Sequence, residues 1–139
     1  MSIRIYYDDT DFRVEGWRKI VRIIELIIGN ENKVSGELSY IITGADSLRK
    51  INREFLDHDY DTDVISFNYN DGRIINGEIY VSIEVVRENA INYNVSLRSE
   101  LLRVLFHGVL HLLGYDDKTK EQEAEMRDME DMWLEKIGE

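Results

Sequence analysis

Two of the three histidines in this 139-residue chain lie four residues apart, in the stretch His-Gly-Val-Leu-His-Leu-Leu-Gly-Tyr-Asp-Asp at residues 107–117. This stretch belongs to the longest apolar run near the C-terminus, and its apolar residues fall on nearly every side of a helix. A helix that is apolar all round is buried in the middle of its domain. Four-residue spacing places His107 and His111 on one face of this helix. The chain must therefore fold around a buried helix that carries two adjacent imidazoles.

The same stretch supplies a third group that can bind a metal. Gly114 is placed to end the helix and turn the chain, which would bring Asp117 back towards the histidine face. Two imidazoles and one carboxylate around an open position are the usual ligands of a catalytic zinc ion. Gly108, in mid-helix beside His107, costs about 1 kcal/mol relative to alanine and so indicates a close approach there. We predict one divalent ion, zinc, bound by His107, His111 and Asp117.

Two other interpretations of the histidine pair were weighed. Histidines on an apolar helix are often buried imidazoles that hydrogen-bond within the core, without a metal. The spacing of His107, His111, Gly114 and residue 117 also matches the metzincin pattern H-E-x-x-H-x-x-G-x-x-H. Those proteases carry their general base directly after the first histidine, where this chain has Gly108. Without that carboxylate the usual route of peptide hydrolysis has no proton acceptor, so a protease is disfavoured.

Composition excludes several classes of protein. The chain has no cysteine, which rules out disulfides and thiolate metal sites. Its net charge of −11 disfavours duplex DNA as a partner, and part of that charge is an acidic cluster. The cluster consists of Asp57, Asp59, Asp61 and Asp63. The N-terminus lacks the apolar segment of a signal peptide and no apolar run is long enough to span a bilayer, so we expect a cytoplasmic protein without a membrane partner.

Periodicity along the chain predicts an α+β fold in a single domain, residues 1–139, with the element order β-α-β-α-β-β-α-α-α. Asp71-Gly72 between two strand-like runs predicts an antiparallel hairpin. The strand-like period changes from Phe12, and apolar residues then recur at helical spacing from Trp17 to Ile28, which gives the first helix. Three polar residues are the expected N-caps of the last three helices: Ser82, Ser96 and Thr119. We expect a small mixed four-stranded sheet that is covered by helices.

The stretch 107–117 closely resembles the H-G-x-L-H-L-x-G-Y-D-H signature of the YbeY family, small bacterial metal-dependent endoribonucleases. A second block agrees with the family's L-N, T-D-V-L-S-F and G-D-I segments. Its members in this chain are Ile51-Asn52, residues 62–67 and Gly77-Glu78-Ile79. The resemblance implies the family's fold and a metal-dependent nuclease activity, and it runs from about residue 50 to residue 117.

The main departures from the family pattern lie at Asp117, Leu56 and Asp61. Asp117 stands where the family has a third histidine ligand, and a carboxylate there widens the choice of ion to manganese and other divalent metals. The family's Y-R-x-x-x-x-T-D segment has an arginine at the position of Leu56, and a proline at the position of Asp61. Arg53, three residues before Leu56, could supply the missing cation.

The resemblance implies a single-strand-specific endoribonuclease that matures the 3′ end of 16S ribosomal RNA and takes part in ribosome quality control. Its partners would be single-stranded ribosomal RNA and the small ribosomal subunit. A bound divalent ion would activate water for hydrolysis of a phosphodiester. Glu100, two turns before His107, is a candidate for proton transfer or for supporting a ligand. For Glu100 we favour the simpler alternative of a first-turn carboxylate that is merely favourable to the helix dipole.

Two rival functions were considered. One is a non-catalytic ribosome-assembly factor with a structural or vestigial metal site, although three protein ligands rather than four disfavour a structural site. The other is a metal hydrolase of small phosphate esters. Four aromatic residues could line a groove for single-stranded RNA: Tyr60, Phe67, Tyr69 and Tyr80. For Phe67 we favour a place in the core of the sheet.

Overall fold

The computed structural model describes residues 2–58 and 60–139, so Asp59 of the acidic cluster lies outside the described residues. The strands are β1 (Ser2–Tyr7), β2 (Val34–Thr43), β3 (Val64–Asn68) and β4 (Ile74–Ser82). The helices are α1 (Trp17–Asn30), α2 (Ala45–Leu56), α3 (Ile83–Asn92), α4 (Leu97–Leu112) and α5 (Lys120–Ile137). Within the described ranges, no helix combines the length and the hydropathy that a bilayer crossing requires.

The four strands form one mixed sheet in the order β1-β2-β4-β3. β2 is parallel to both of its neighbours, and β3 is antiparallel to β4. The turn that joins β3 to β4 closes with a bridge between Asp71 and Ile74, and Gly72 in it has a φ of 58°. The hairpin, the element order and the α+β class that the sequence predicted are thus confirmed.

Helix α4 is the centre of the hydrophobic core. Ten of its residues, from Glu100 to Leu112, are buried. Side chains of the sheet and its hairpin donate hydrogen bonds to carbonyls of α4: Tyr40 to Leu105 at 2.8 Å, Ser66 to Gly108 at 3.3 Å and Asn70 to Leu112 at 2.7 Å. These bonds come from β2, β3 and the hairpin turn. They fix both the rotation and the axial position of the helix on the sheet.

Gly108 lies where α4 approaches the sheet most tightly. A Cβ added at this glycine would lie 2.6 Å from Cγ2 of Ile79 on β4, and Ile79 is fully buried. The close approach that the sequence indicated at Gly108 is therefore present, but it is made by the sheet. The missing side chain lets the helix backbone rest on the strand.

The predicted N-caps are confirmed. The hydroxyls of Ser82, Ser96 and Thr119 each accept a hydrogen bond from the backbone N–H three residues later. The first helix agrees with the prediction as well, since α1 begins at Trp17, the first residue of the helical spacing. Gly16 before it has a left-handed φ of 68°, and the N–H of Val14 donates to the hydroxyl of Tyr7. The preceding residues are therefore held as a loop.

Phe67 on β3 lies outside the core, so its predicted place there is wrong. Ser66 bonds to α4, and successive side chains of a strand point to opposite faces, so Phe67 points away from α4. It is half-buried, and its ring makes edge-to-face contacts with Phe55 of α2, at 5.9 Å, and Tyr80 of β4, at 5.8 Å. These three rings form an aromatic cluster on the outer face of the hairpin.

Replacing Gly108 by alanine is expected to lower the free energy of unfolding by about 1–3 kcal/mol, because the new methyl group would force α4 away from Ile79. Urea denaturation of the metal-free protein measures this change. Gly29→Ala, on α1, is the matched control, because a Cβ added at Gly29 would meet nothing within 4 Å. It is expected to raise stability by up to about 1 kcal/mol. Equal changes in the two variants would contradict the packing argument.

Candidate metal centre

The two histidines lie in the last turns of α4, on the face that the core leaves accessible. Their ring centroids are 4.6 Å apart and the rings are nearly perpendicular, at 80°. Helix α4 ends at Leu112, one residue after His111, and Gly114 beyond it adopts a φ of 104°. The N–H of Gly114 donates to the carbonyl of His111, and the N–H of Tyr115 to that of Leu110. This glycine-based helix end reverses the chain, as the sequence predicted.

The reversal carries Asp117 to the histidine face. Its Oδ2 lies 3.3 Å from Nε2 of His107 and 3.5 Å from Nε2 of His111. The N–H of Asp117 donates to Oδ1 of Asp116 at 2.8 Å, so Asp116 supports the turn. Asp116 itself does not join the group, which among the described residues consists of His107, His111 and Asp117.

The three side chains fit a divalent ion. Ligand atoms about 2.0–2.1 Å from a tetrahedral ion lie about 3.3–3.4 Å from one another, which is close to the two distances that Asp117 makes. All three ligand atoms lie within 4.8 Å of one another. The side chains of His107, His111 and Asp117 are 20%, 28% and 42% exposed, so the group has an open side. This donor set could hold a metal ion and leave a position free.

Two cavities meet at this group. The first, of about 550 Å³, lies between α3, α4 and α5, and the second, of about 430 Å³, lies between α4, β3 and the segment after α2. His107, Asp117 and Asp63 line both of them. Leu56, which stands where the family has its arginine, lines the second cavity. A chain-like substrate could thus pass across the metal ligands from one cavity to the other.

Two carboxylates with raised pKa values face the first cavity. Burial raises the pKa of Glu100, and the negative charge of Asp63 raises it further. Burial also raises the pKa of Asp63, although the nearby His107 opposes this. Glu100 is only 4% exposed; its backbone N–H donates to Ser96, but its carboxylate accepts no hydrogen bond among the described residues. The alternative of a simple first-turn carboxylate does not account for this burial, because a charge that serves only the helix dipole can stay in solvent.

Another carboxylate, the buried Glu130 of α5, contacts the centre directly. Its Oε2 lies 2.6 Å from Nδ1 of His107, and its Oε1 accepts a hydrogen bond from Arg103 at 2.8 Å. Burial alone would raise the pKa of Glu130, but the bonds with His107 and Arg103 outweigh it and hold that pKa low. For His107 the effects have the opposite signs. Burial alone would lower its pKa, but the contact with Glu130 and the charges of Asp117 and Asp63 raise that pKa above its ordinary value.

Sequence reasoning missed Glu130, although a signal was present. The buried positions of α5 are Met126, Glu130, Trp133 and Ile137, which is the spacing of one helix face. A glutamate inside an otherwise apolar stripe needs a partner, because an ionised carboxylate is costly to bury. The predicted candidate Glu100 does line the first cavity with His107. Arg53 lies exposed in the last turn of α2 and lines neither of the two cavities.

The aromatic residues proposed for an RNA groove are only partly near the centre. Tyr60 lines the second cavity, is 55% exposed and stacks on His58 at 5.2 Å. Tyr69 is 56% exposed and donates a hydrogen bond to Glu78. It lines neither cavity, and neither does Phe67 of the aromatic cluster. Tyr60 is therefore the aromatic of this set that stands beside the metal ligands.

Comparisons with known proteins agree with the resemblance seen in the sequence. The family model described as endoribonuclease YbeY matches residues 4–138. A protein of Chlorobaculum tepidum with that name is 46% identical over 115 residues, which cover 83% of this chain and 84% of the relative. A protein of Chlorobium phaeovibrioides with the same name is 42% identical over 138 residues, 99% of this chain and 92% of the relative.

A solved structure supports the fold as well. The solution structure of a Thermotoga maritima protein aligns with a TM-score of 0.68 and 29% identity, and the alignment covers 98% of this chain and 89% of that protein. The neighbour therefore shares the arrangement of nearly the whole chain, including the segment that carries the histidines. Because the family model and the relatives both match over most of the length, this chain belongs to the endoribonuclease YbeY family.

Proposed function

We propose that this protein is a single-strand-specific, metal-dependent endoribonuclease and that residues 1–139 act as one hydrolase domain. The observation that carries the proposal is the convergence of Nε2 of His107, Nε2 of His111 and Oδ2 of Asp117 at distances that suit one ion. Relatives of this chain are named endoribonucleases, which supports RNA as the substrate. The open side of the group supports catalysis over a purely structural role.

The three side chains would hold zinc, with two imidazole nitrogens and one carboxylate oxygen as ligands. A divalent ion bound there would supply a Lewis acid that lowers the pKa of a water molecule towards about 7. His107 and His111 must be neutral to act as ligands, and Asp117 must be ionised. The protein thus contributes one negative charge to the centre, and the reversed chain after α4 holds that charge in place.

Glu100 is proposed as the group that moves the proton. It lines the same cavity as His107, it is buried, and its carboxylate accepts no hydrogen bond among the described residues. Burial and the neighbouring Asp63 raise its pKa, which brings it closer to the range where a carboxyl group can both accept and return a proton. Its position on α4, two turns before His107, fixes it relative to the ligands.

The proposed substrate in the cell is ribosomal RNA, at the 3′ end of the 16S species on the small subunit, with a role in ribosome quality control. The two cavities that meet at the ligands suit a single strand better than a duplex, because a strand can bend into concave sites. Tyr60, exposed beside the ligands, offers a ring on which a base can stack. The exposed Arg53 is proposed to neutralise a phosphate in place of the arginine replaced by Leu56.

Asp117→Asn is expected to weaken zinc binding at least about tenfold, because it removes an ionised ligand. Loss of a residue that only hydrogen-bonds to a ligand already weakens metal binding by about that factor. Cleavage of single-stranded RNA should fall with it. The assay uses the purified protein with and without chelator, on single-stranded RNA, duplex RNA and small subunits that carry 3′-extended 16S RNA. Asp128→Asn, an exposed change on α5, is the matched control and should retain both properties.

The same assay separates the rival functions. Tight zinc without RNA cleavage, and unfolding when the metal is removed, would contradict the nuclease proposal and favour an assembly factor. Cleavage of small phosphate esters alone would favour the other hydrolase. Cleavage of RNA strands but not of the extended 16S RNA would contradict only the assignment of the cellular substrate.

Arg53→Ala is expected to weaken the binding of single-stranded RNA a few-fold and to reduce the salt dependence of log K by about 0.7, the value of one phosphate contact. Fluorescence anisotropy at several salt concentrations measures both. Arg22→Ala, on the exposed part of α1, is the control and should change neither. If Arg53→Ala binds RNA as the parent protein does, Arg53 does not replace the family's arginine.

Glu100→Gln is expected to slow RNA cleavage while zinc content stays unchanged, and to stabilise the metal-free protein by on the order of 1 kcal/mol at neutral pH. A raised pKa means that the folded protein disfavours the ionised form of Glu100. Below the ordinary pKa of 4.5 the carboxyl group is protonated in both the folded and the unfolded protein, so it does not lower the free energy of unfolding. The loss of stability grows as pH rises through the raised pKa. The stability gained in the variant should therefore increase with pH.

Denaturant unfolding between about pH 4 and pH 8 measures this gain. The charged groups that act on Glu100 from α4, α5 and the segment before β3 are Asp63, Arg103, Arg127 and Glu130. Glu84→Gln, an exposed first-turn glutamate of α3, serves as the control. A gain that is independent of pH, or a variant that cleaves at the parent rate, would contradict the role assigned to Glu100.

A further inference from the structure

The two imidazoles of the candidate centre have different surroundings. Nδ1 of His107 faces Glu130 at 2.6 Å, whereas Nδ1 of His111 has no hydrogen-bond partner among the described residues. The side chain of Glu130 is only 6% exposed, and both of its oxygens are engaged, one with His107 and one with Arg103. Arg103 also binds Asp131 at 2.6 Å. Glu130 thus holds the ring of His107 from outside the metal site, whereas among the described residues no such contact holds the ring of His111.

The contact with Glu130 determines which nitrogen of His107 carries the hydrogen. A neutral imidazole has one N–H and one lone pair, and an ionised carboxylate can only accept. The hydrogen must therefore sit on Nδ1, which leaves the lone pair on Nε2. That nitrogen is the one 3.3 Å from Oδ2 of Asp117. Arg103 keeps the carboxylate ionised and holds it in place, since a guanidinium has no acceptor.

We propose that Glu130 is a positioning residue for the metal centre, holding His107 in the tautomer and orientation that present Nε2 to a divalent ion. The inference rests on the proposed function, because it needs His107 as a ligand. It adds that the affinity for the ion depends on helix α5, through Glu130, which is 23 residues away from His107 in sequence. α5 takes part in the centre although it supplies no ligand.

Glu130→Gln gives a directional test of this role. The glutamine oxygen would accept the hydrogen bond from Arg103, which can only donate, and the amide NH₂ would then face His107. An NH₂ donor at Nδ1 favours the tautomer with hydrogen on Nε2, and this tautomer cannot bind an ion through Nε2. The substitution nearly preserves the shape of the side chain while it reverses the hydrogen bond.

Two measurements apply. Long-range ¹H–¹⁵N NMR of the metal-free protein at about pH 9, where histidines are ordinarily neutral, reports the tautomer of each ring. His107 is expected to carry its hydrogen on Nδ1 in the parent protein and on Nε2 in Glu130→Gln. Competition with a chelator for zinc should show an affinity loss of about 10–100-fold. Asp131→Asn is the matched control, because Asp131 binds Arg103 but not His107, and it should change the affinity less than about twofold.

Glu130→Asp keeps an acceptor and covers the case in which the glutamine variant does not fold. It should retain the Nδ1–H tautomer and lose less affinity than the glutamine variant. An unchanged tautomer with unchanged zinc affinity in Glu130→Gln would overturn the inference, as would an equal affinity loss in Asp131→Asn. If the parent protein binds no zinc, the proposed function fails. If it binds zinc and Glu130→Gln binds it equally well, only the role of Glu130 fails.

Discussion

Helix α4 packs closely against the sheet, and this packing fixes the direction in which the two histidines point. Gly108 lets the helix backbone approach Ile79, and hydrogen bonds from Tyr40, Ser66 and Asn70 tie helix carbonyls to the sheet and its hairpin. A helix held at this distance can rotate very little, because either direction would drive larger side chains into the strand. The face that carries the two histidines is thereby fixed towards the cavities. Interiors as dense as this transmit such a constraint over several turns.

Charge around the candidate centre is divided between paired and unpaired carboxylates. Glu130 is buried but accepts hydrogen bonds from both Arg103 and His107, so its burial is offset. Glu100 is buried without such a bond, and the raised pKa of Asp63 also reflects burial. Carboxylates held at raised pKa in a cleft beside a ligand set are more typical of functional sites than of structural ones.

The carboxylate among the three candidate ligands would alter the chemistry that the family signature implies. Three neutral imidazoles would leave a divalent ion with its full charge, whereas two imidazoles and Asp117 would reduce the net charge of the centre by one. A harder oxygen ligand also accommodates a wider range of divalent ions. The short turn after Gly114 allows this exchange, since it brings the ligand atom of residue 117 to 3.3 Å and 3.5 Å from the two imidazole nitrogens.

The local features of this protein follow from short stretches of its sequence. Periodicity and caps located the helices and strands, the spacing of His107 and His111 put both rings on one face, and Gly114 marked the turn to Asp117, because each depends on residues close in sequence. Other features appear only in the folded protein. Glu130 of α5 contacts His107, Glu100 and Asp63 face one cavity, and Phe67 lies outside the core. Those contacts join residues far apart in the chain, and they exist only once α4 and α5 have packed on a sheet whose order no local pattern specifies.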